Sequence, residues 1–301
     1  MIGRITGPFS LKSVFTLLAF SVSSLGFASM AGGAASHFTV VFNGKDPSPA
    51  KIAGQLERTW EIFHDLFGVE PAPVRVIITA VSGAAPGSSA DRQSSTAAPP
   101  QHEIAWAIKE GEDLSGQTFS DLSHEITHIY FIDYMEDKGG LHQSNAWLHE
   151  AAAIRSELDP FRKNRETWIR EHIKERIPLE LLFTMKNPQK QNPLVELTVK
   201  LHEKLAKGEI TAEELNRQIS DFAQTHAEEL SQAGIRNMTY YSESFSIFKF
   251  LLDTEGKEFI RRMSLALKNG KTMVEIIRGL KTYPKGIPQL EQAWADRVEK
   301  S

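Results

Sequence analysis

The sequence predicts an α+β fold in which a small mixed β-sheet with helices leads into a mainly helical C-terminal half. Between residues 37 and 110, short stretches rich in β-branched and aromatic residues alternate with a helical pattern. From residue 117 onward, the apolar residues recur at helical spacing. The 301 residues are enough for one large domain or two small ones, and no internal repeat is visible.

The N-terminal half alternates between strand and helix patterns. The stretches HFTVVFNG (37–44) and PVRVIITAV (73–81) predict strands on either side of a helix at 50–67. A tract rich in serine, alanine, proline and glycine at 82–101 predicts a loop, because it lacks the side chains that a core needs. The stretch HEIAWAIKE (102–110) then predicts a strand at an edge of the sheet, since its charged ends suit exposure.

After the strands, two predicted helices carry the histidine and glutamate residues that are candidates for a functional site. The first contains SDLSHEITHIYF and ends at the following DKGG, and Thr118 or Ser120 is expected to cap it. The second, NAWLHEAAAIRSEL, covers 145–158. We therefore expect a part at 36–160 that contains both helices, and a helical part at 161–301 that completes a cleft.

The composition is that of an ordinary globular protein, and it excludes several kinds of site. Hydrophobic residues make up 41% of the chain and charged residues 24%, and the net charge of −4 gives no field that would attract nucleic acid. The chain contains no cysteine. Disulfides, thiol catalysis and zinc sites with cysteine ligands are therefore excluded.

An export signal is predicted at the N-terminus, over residues 1–35. Two basic residues precede the apolar run VFTLLAFSVSSLGF, and the small residues ASMAGGAAS follow it. We expect cleavage near Ser36, or after Ala28 or Ala31, and hence a periplasmic or extracellular protein. The apolar run approaches the length that spans a bilayer, so the alternative is an uncleaved segment that anchors the protein to a membrane.

Two histidines four residues apart indicate a metal site on the first of the two helices. A separation of four residues turns an α-helix through about 400°, so His124 and His128 project from one face and are close enough to share a metal ion. Glu125 points about 100° away from His124 and is expected beside the metal. A catalytic zinc ion needs three protein ligands and an open position for water, so a third ligand is required.

Glu150, on the second helix, is the best candidate for the third ligand. It follows His128 by 22 positions, which allows a turn and a returning helix, and its neighbours are apolar. A carboxylate in such surroundings is costly unless it is paired or binds a metal. We therefore predict one zinc ion bound by His124, His128 and Glu150. His142, in the connecting loop, is an alternative ligand, and His149 is expected near the metal, at the substrate or in solvent.

These motifs resemble those of the gluzincins, the thermolysin-like or peptidase MA-like zinc metallopeptidases with an HExxH motif. The resemblance is carried by LSHEITH at 122–128, WLHEAAA at 147–153 and YYSESFSIFKFLLDTEGKEFIRRMSLALKNG at 240–270. It spans roughly residues 37–300 and implies a zincin-like fold. The first motif is highly specific for zinc peptidases, and the third is only moderately so.

The resemblance also implies a role for each site residue. The two histidines and Glu150 would bind zinc, and Glu125 would be the general base that takes a proton from the activated water. Tyr241 matches the tyrosine that donates a hydrogen bond to the oxyanion, and Tyr240 is its rival. The implied function is that of an exported zinc peptidase acting on a peptide or protein substrate, which the strand at 102–110 would hold by backbone pairing. The alternative is a catalytically silent zinc-binding module that binds a partner in its cleft.

Two positions depart from the family pattern. Ala151 stands where a glycine usually follows the third ligand. Ile154 stands where thermolysin-like enzymes have an aspartate that orients a histidine ligand. Asp121 or Glu157 would have to take over that role.

Overall fold

The protein is described from a computed structural model. The structure describes residues 31–34, 37–42, 48–81, 87–89, 102–109, 114, 116–136, 145–188 and 192–301. Most of the predicted export signal, residues 1–30, lies outside these ranges, and so does His142. Of the predicted signal only Ala31–Ala34 is described, together with the strand that it forms.

The predicted mixed sheet is confirmed, and its five strands have the order β1-β2-β3-β5-β4. The strands are β1 (Ala31–Ala34), β2 (Phe38–Phe42), β3 (Val74–Val81), β4 (Gly87–Ser89) and β5 (His102–Lys109). β2, β3 and β5 run parallel to one another, whereas the short outer strands β1 and β4 are antiparallel to their neighbours. This combination of parallel central strands and antiparallel edges makes the sheet mixed.

The predicted edge position of the strand at 102–110 is wrong. β5 has β3 on one side and β4 on the other, and Gly87–Ser89 pairs with Ala105–Ala107. The serine- and glycine-rich tract was expected to be a loop because its side chains cannot form a core. Its backbone N–H and C=O groups can still form a strand ladder, and at β4 they do so. The rest of the 82–101 tract lies outside the described residues.

The first helix, α1 (Pro49–Phe67), packs against the strands β1 and β2. The Ser48 side chain accepts a hydrogen bond from the backbone N–H of Lys51 and caps its first turn. The helix ends at Gly68, whose φ of 70° suits a residue without a Cβ. Its buried side, at helical spacing, joins the sheet to the helical half and so supports the two motif helices.

The two motif helices are α2 (Gly116–Met135) and α3 (Ala146–Ser156). Both were predicted, but Thr118 and Ser120 lie inside α2 and do not cap it, because the helix begins at Gly116. The Ser120 hydroxyl instead accepts a hydrogen bond from the backbone N–H of Leu158, after the end of α3. In α3 every residue except Arg155 is buried, so this helix forms part of the interior of the protein.

The C-terminal half is helical, as predicted. Its helices are α4 (Asp159–Glu171), α5 (Leu179–Leu182), α6 (Pro193–Ala206), α7 (Ala212–Thr225), α8 (Ala227–Glu255), α9 (Lys257–Lys268), α10 (Met273–Arg278) and α11 (Ile287–Lys300). The first turns of α8, AEELSQAGIRNM, have few apolar residues and so show little helical periodicity in the sequence. Within the described ranges, no helix combines the length and the apolar character that a bilayer crossing needs.

Helices α6 and α7 form a helical hairpin (193–225) with a core of its own. This small core is separate from the main one, which joins the sheet to the remaining helices. Its buried residues are Leu194, Leu201, Leu215 and Ile219. The hairpin is therefore expected to open without disrupting the main core.

The separate core predicts a local response to Leu201→Ala. Removing this buried side chain costs about 2 to 4 kcal/mol, and the loss is expected within the hairpin. In native-state hydrogen exchange, amides of α6 and α7 should exchange at least about 10-fold faster, while those of α2 and α3 keep their rates. The control is Leu267→Ala, in the main core. Equal acceleration in α2 and α3 by the Leu201 variant would show a single cooperative unit.

A buried carboxylic acid lies at the contact between α8 and the segment before α5. Glu243 is 0% exposed, one of its carboxyl oxygens accepts a hydrogen bond from the backbone N–H of Ile177 at 2.9 Å, and the other has no hydrogen-bond partner among the described residues. The pKa of Glu243 is raised to about 8, mainly because burial disfavours the charged form. The negative charge of Glu291 also raises this pKa, whereas the Ile177 N–H and the positive charge of Arg176 lower it. Glu243 is therefore mainly protonated at neutral pH.

This raised pKa predicts a pH-dependent loss of stability. The group binds a proton more tightly in the folded state than in the unfolded state, so its contribution is complete at acidic pH and is lost as the pH rises toward 8. Between pH 5 and 8, the free energy of unfolding should fall relative to Glu243→Gln by up to about 1.4 kcal/mol per pH unit. Urea titrations of both proteins and of the exposed control Glu229→Gln measure this. A pH-independent difference between the wild type and Glu243→Gln contradicts it.

Candidate metal centre

Three side chains from α2 and α3 bring one potential ligand atom each to a common point. The His124 Nε2 and His128 Nε2 atoms are 3.1 Å apart, and they lie 3.4 Å and 3.5 Å from Glu150 Oε2. Zinc bound tetrahedrally at about 2.05 Å needs ligand atoms about 3.3 Å apart. The three atoms thus have the spacing of a zinc tripod, and they form the group in the described residues that could hold a metal ion.

The carboxylate of Glu150 is the most constrained of the three groups. Its residue is 4% exposed, and its Oε2 atom has no hydrogen-bond partner within the described part of the chain. Burial opposes its charge, but the nearby imidazoles of His128 and His124 outweigh burial and hold the pKa of Glu150 well below its ordinary value. A buried carboxylate oxygen without a hydrogen-bond donor, directed at two imidazole nitrogens, is suited to a cation.

A second carboxylate fixes the orientation of the His124 ring. Glu157 is 6% exposed, directly follows α3, and its Oε1 atom lies 2.9 Å from His124 Nδ1. Because a carboxylate only accepts, Nδ1–H donates, and Nε2 is left to face the metal position. Burial lowers the pKa of His124, but the carboxylates of Glu150 and Glu157 outweigh burial and raise it well above its ordinary value.

Glu157 therefore makes the contact that the family pattern assigns to a residue four positions after the third ligand. Ile154, which occupies that position, is completely buried, and Ala151 is also 0% exposed. The other candidate, Asp121, accepts a hydrogen bond from Gln117, and burial raises its pKa to about 6. Of the two candidates, only Glu157 is hydrogen-bonded to a histidine of the tripod.

The remaining predicted residues of α2 and α3 have different surroundings. Glu125 is half-buried, and its carboxylate makes no hydrogen bond or ion pair to the residues that the structure describes. His149 is only 2% exposed, and its ring centroid lies 4.1 Å from that of Phe131 and 5.9 Å from that of His128. Of the three alternatives for His149, the solvent-facing one is therefore wrong, because the side chain is buried beside His128 and Phe131.

The two tyrosines of α8 differ in how they are placed. Tyr240 is 0% exposed and belongs to the main core, whereas Tyr241 is half-buried. The Tyr241 hydroxyl lies 3.2 Å from Asn187 Nδ2, and the same nitrogen lies 2.7 Å from Glu150 Oε1. Tyr241 is thus connected to a tripod residue through one side chain. Burial and the negative charge of Glu150 raise the pKa of Tyr241 well above its ordinary value, so its phenol keeps its proton.

Two residues at the site were not anticipated from the sequence. Asn187 is 6% exposed and lies in an irregular segment. Its position in the sequence has no helical or strand spacing relative to the motifs, so no sequence pattern indicates that it reaches the site. Arg165, on α4, has its guanidinium carbon 5.4 Å from the ring centroid of Tyr241, and one of its nitrogens lies 3.8 Å from Glu157 Oε1. Its helical neighbours are charged, and nothing in the local pattern separates it from an ordinary surface arginine.

The Glu157 contact predicts weaker metal binding when it is lost. In Glu157→Gln the amide can present an N–H to His124 in place of the carboxylate, so the ring orientation is no longer fixed. We expect zinc affinity to fall by about 10- to 100-fold, measured by competition with a chelator of known affinity. The exposed control Glu171→Gln, on α4, should bind zinc like the wild type. Unchanged affinity in the Glu157 variant would show that the contact does not support the tripod.

Comparisons of the chain with protein-family models, with curated proteins and with solved structures found no match in any of the three. The resemblance to gluzincins therefore depends on the motifs themselves and on the tripod that they form.

Proposed function

We propose that the protein is an exported zinc-dependent metallopeptidase of gluzincin type, which hydrolyses peptide bonds in a peptide or protein substrate. The observation that carries this proposal is the tripod of His124, His128 and Glu150, whose ligand atoms lie 3.1 to 3.5 Å apart. Three protein ligands leave one position of a tetrahedral zinc ion open, which is the arrangement of catalytic sites. A purely structural zinc site uses all four positions.

The bound zinc ion would lower the pKa of a water molecule and polarise the scissile carbonyl group. In this proposal Glu125, which follows the first ligand directly on α2, takes a proton from the water and passes it to the leaving amine. Its half-buried carboxylate has no competing ion pair among the described residues, which supports this role. Glu157 keeps the His124 ring in the orientation that binds the metal.

Tyr241 is proposed to donate a hydrogen bond to the oxyanion that forms on the substrate carbonyl. Its contact with Asn187, which also holds Glu150, supports this choice over Tyr240, which is buried in the main core. A neutral phenol can donate a proton in a hydrogen bond, and the raised pKa of Tyr241 favours that form.

The substrate backbone is proposed to pair with the sheet at β4. β5 was expected to fill this role, but β4 covers it at Ala105–Ala107 and is the outermost described strand on that side. An extended peptide added to this edge would gain main-chain hydrogen bonds that do not depend on its sequence. Export itself depends on the N-terminal signal pattern, whose first 30 residues lie outside the described ranges.

The test is Glu125→Gln, which removes the base and keeps the side-chain volume. The zinc-loaded full chain and its variant are incubated with a diverse peptide library, and cuts are identified by mass spectrometry. We expect Glu125→Gln to retain one zinc ion per chain and to lose at least about 100-fold in cleavage rate. The exposed control Glu228→Gln should cleave like the wild type. If zinc is bound and no cut depends on Glu125, the protein is better explained as a silent zinc-binding module.

A further inference from the structure

The Asn187 side chain lies between a tripod residue and the proposed oxyanion donor. Its Nδ2 atom is 2.7 Å from Glu150 Oε1 and 3.2 Å from the Tyr241 hydroxyl oxygen. A carboxylate can only accept, so the side of Asn187 that faces Glu150 must be the NH₂ group. This group has two hydrogens, one for each oxygen, and the two contacts use both of them.

We propose that Asn187 is a positioning residue that sets how Glu150 binds the metal and, through the same amide group, where the phenol of Tyr241 lies. The proposal rests on the proposed function, and it adds a residue that neither the motifs nor the family pattern contains. It concerns Glu150 first, because the shorter contact is made to that carboxylate.

The first effect is on the number of oxygens that Glu150 gives to the metal. Oε1 accepts a hydrogen bond from Asn187, whereas Oε2 faces both histidine nitrogens. An oxygen held by a strong donor at 2.7 Å is a poor second ligand, so Glu150 would bind a metal ion through Oε2 alone. The tripod would then supply three ligand atoms, which would leave the fourth position of a tetrahedral metal ion available for water.

The second effect is on Tyr241. Because Asn187 donates, the tyrosine oxygen is the acceptor in this contact, and the tyrosine hydroxyl proton is not used in it. The phenol is therefore held by its oxygen at a fixed distance from the Glu150 carboxylate. Arg165, 5.4 Å from the ring centroid, supports the ring from another side.

The position of Asn187 in the chain makes this contact non-local. Asn187 precedes the helical hairpin (193–225), and Tyr241 lies on α8, which follows it. The contact therefore joins, at the candidate metal centre, two residues that are separated in the chain by the helical hairpin and the start of α8. At 6% exposure the amide is shielded from water, so its loss cannot readily be compensated by solvent.

The experiment compares two substitutions of Asn187 in the full chain. Asn187→Leu removes the donor and keeps a similar volume, and Asn187→Ala removes both donor and volume. The matched control is Asn192→Ala, since Asn192 has the same residue type and the same 6% exposure, but its side chain caps α6 by accepting from the Leu194 N–H. Tyr241→Phe tests the phenol by itself. If Asn187→Ala fails to fold, Asn187→Leu carries the comparison.

The first readouts do not need activity. Zinc affinity is measured by chelator competition, and the visible spectrum is recorded after replacing zinc with cobalt(II), which absorbs more weakly when it is five-coordinate than when it is four-coordinate. We expect both Asn187 variants to bind zinc about 10- to 100-fold more weakly. We also expect a weaker cobalt spectrum, because Glu150 gains its second oxygen as a ligand. Asn192→Ala and Tyr241→Phe should keep the wild-type affinity and spectrum.

The remaining readout is peptide cleavage. Both Asn187 variants should lower kcat by at least about 10-fold with little change in KM, because the substrate contacts stay in place. Tyr241→Phe should lower kcat only. Altered metal binding by the Asn187 variants supports the positioning role, whether or not the wild type cleaves peptides. A wild type that cleaves no peptide contradicts the proposed function but not the positioning role. A cleaving wild type whose Asn187 variants match Asn192→Ala in affinity, spectrum and kcat overturns the positioning role and leaves the function intact.

Discussion

The negative charge of Glu150 is the constraint on which the rest of the site depends. It lies on a helix whose other residues are almost all buried, where an uncompensated carboxylate is costly. The two oxygens have different surroundings, with an amide donor at Oε1 and two imidazole nitrogens near Oε2. The amide can stabilise this charge and the two imidazoles could share a cation with it, so a metal ion would be compatible with the whole arrangement.

The packing of α3 explains how the centre is held rigidly. This helix lies between α2, which carries both histidines, and α8, which carries Tyr241. The alanines at 151–153 are all buried, and their small side chains let the neighbouring helices approach closely. Rigid helices hold metal ligands more accurately than loops do. The tripod consequently lies on helices that help to form the main core, and a change in the packing of α3 would also move Glu150, a potential ligand.

The features that could be predicted from the sequence are those with a local signal. The spacing of His124 and His128 fixes their common face, and the apolar neighbours of Glu150 show that its burial needs a partner. The parallel strands and most helices follow from periodicity in the same way, and the predicted α+β class is confirmed.

The features that were missed depend on contacts distant in sequence. Asn187 meets Glu150 across 37 positions, and no period or motif relates the two. β4 forms through backbone groups, which every residue has, so its serine- and glycine-rich composition gave no sign of a strand. Glu157 is a similar case. From the sequence, Glu157 and Asp121 were equal candidates to orient a histidine. Only the packing of α3 against α2 shows that Glu157 makes this contact.

The chain order of the site also has a consequence for how the protein is made. The three potential ligands and Glu157 all lie within residues 124–157, whereas Asn187 and Tyr241 come later in the chain. A polypeptide grows from its N-terminus, so the potential metal ligands leave the ribosome before Asn187 and Tyr241. A chain whose synthesis stops between residues 157 and 187 therefore contains all three potential metal ligands but lacks Asn187 and Tyr241, the residues proposed to position and assist them.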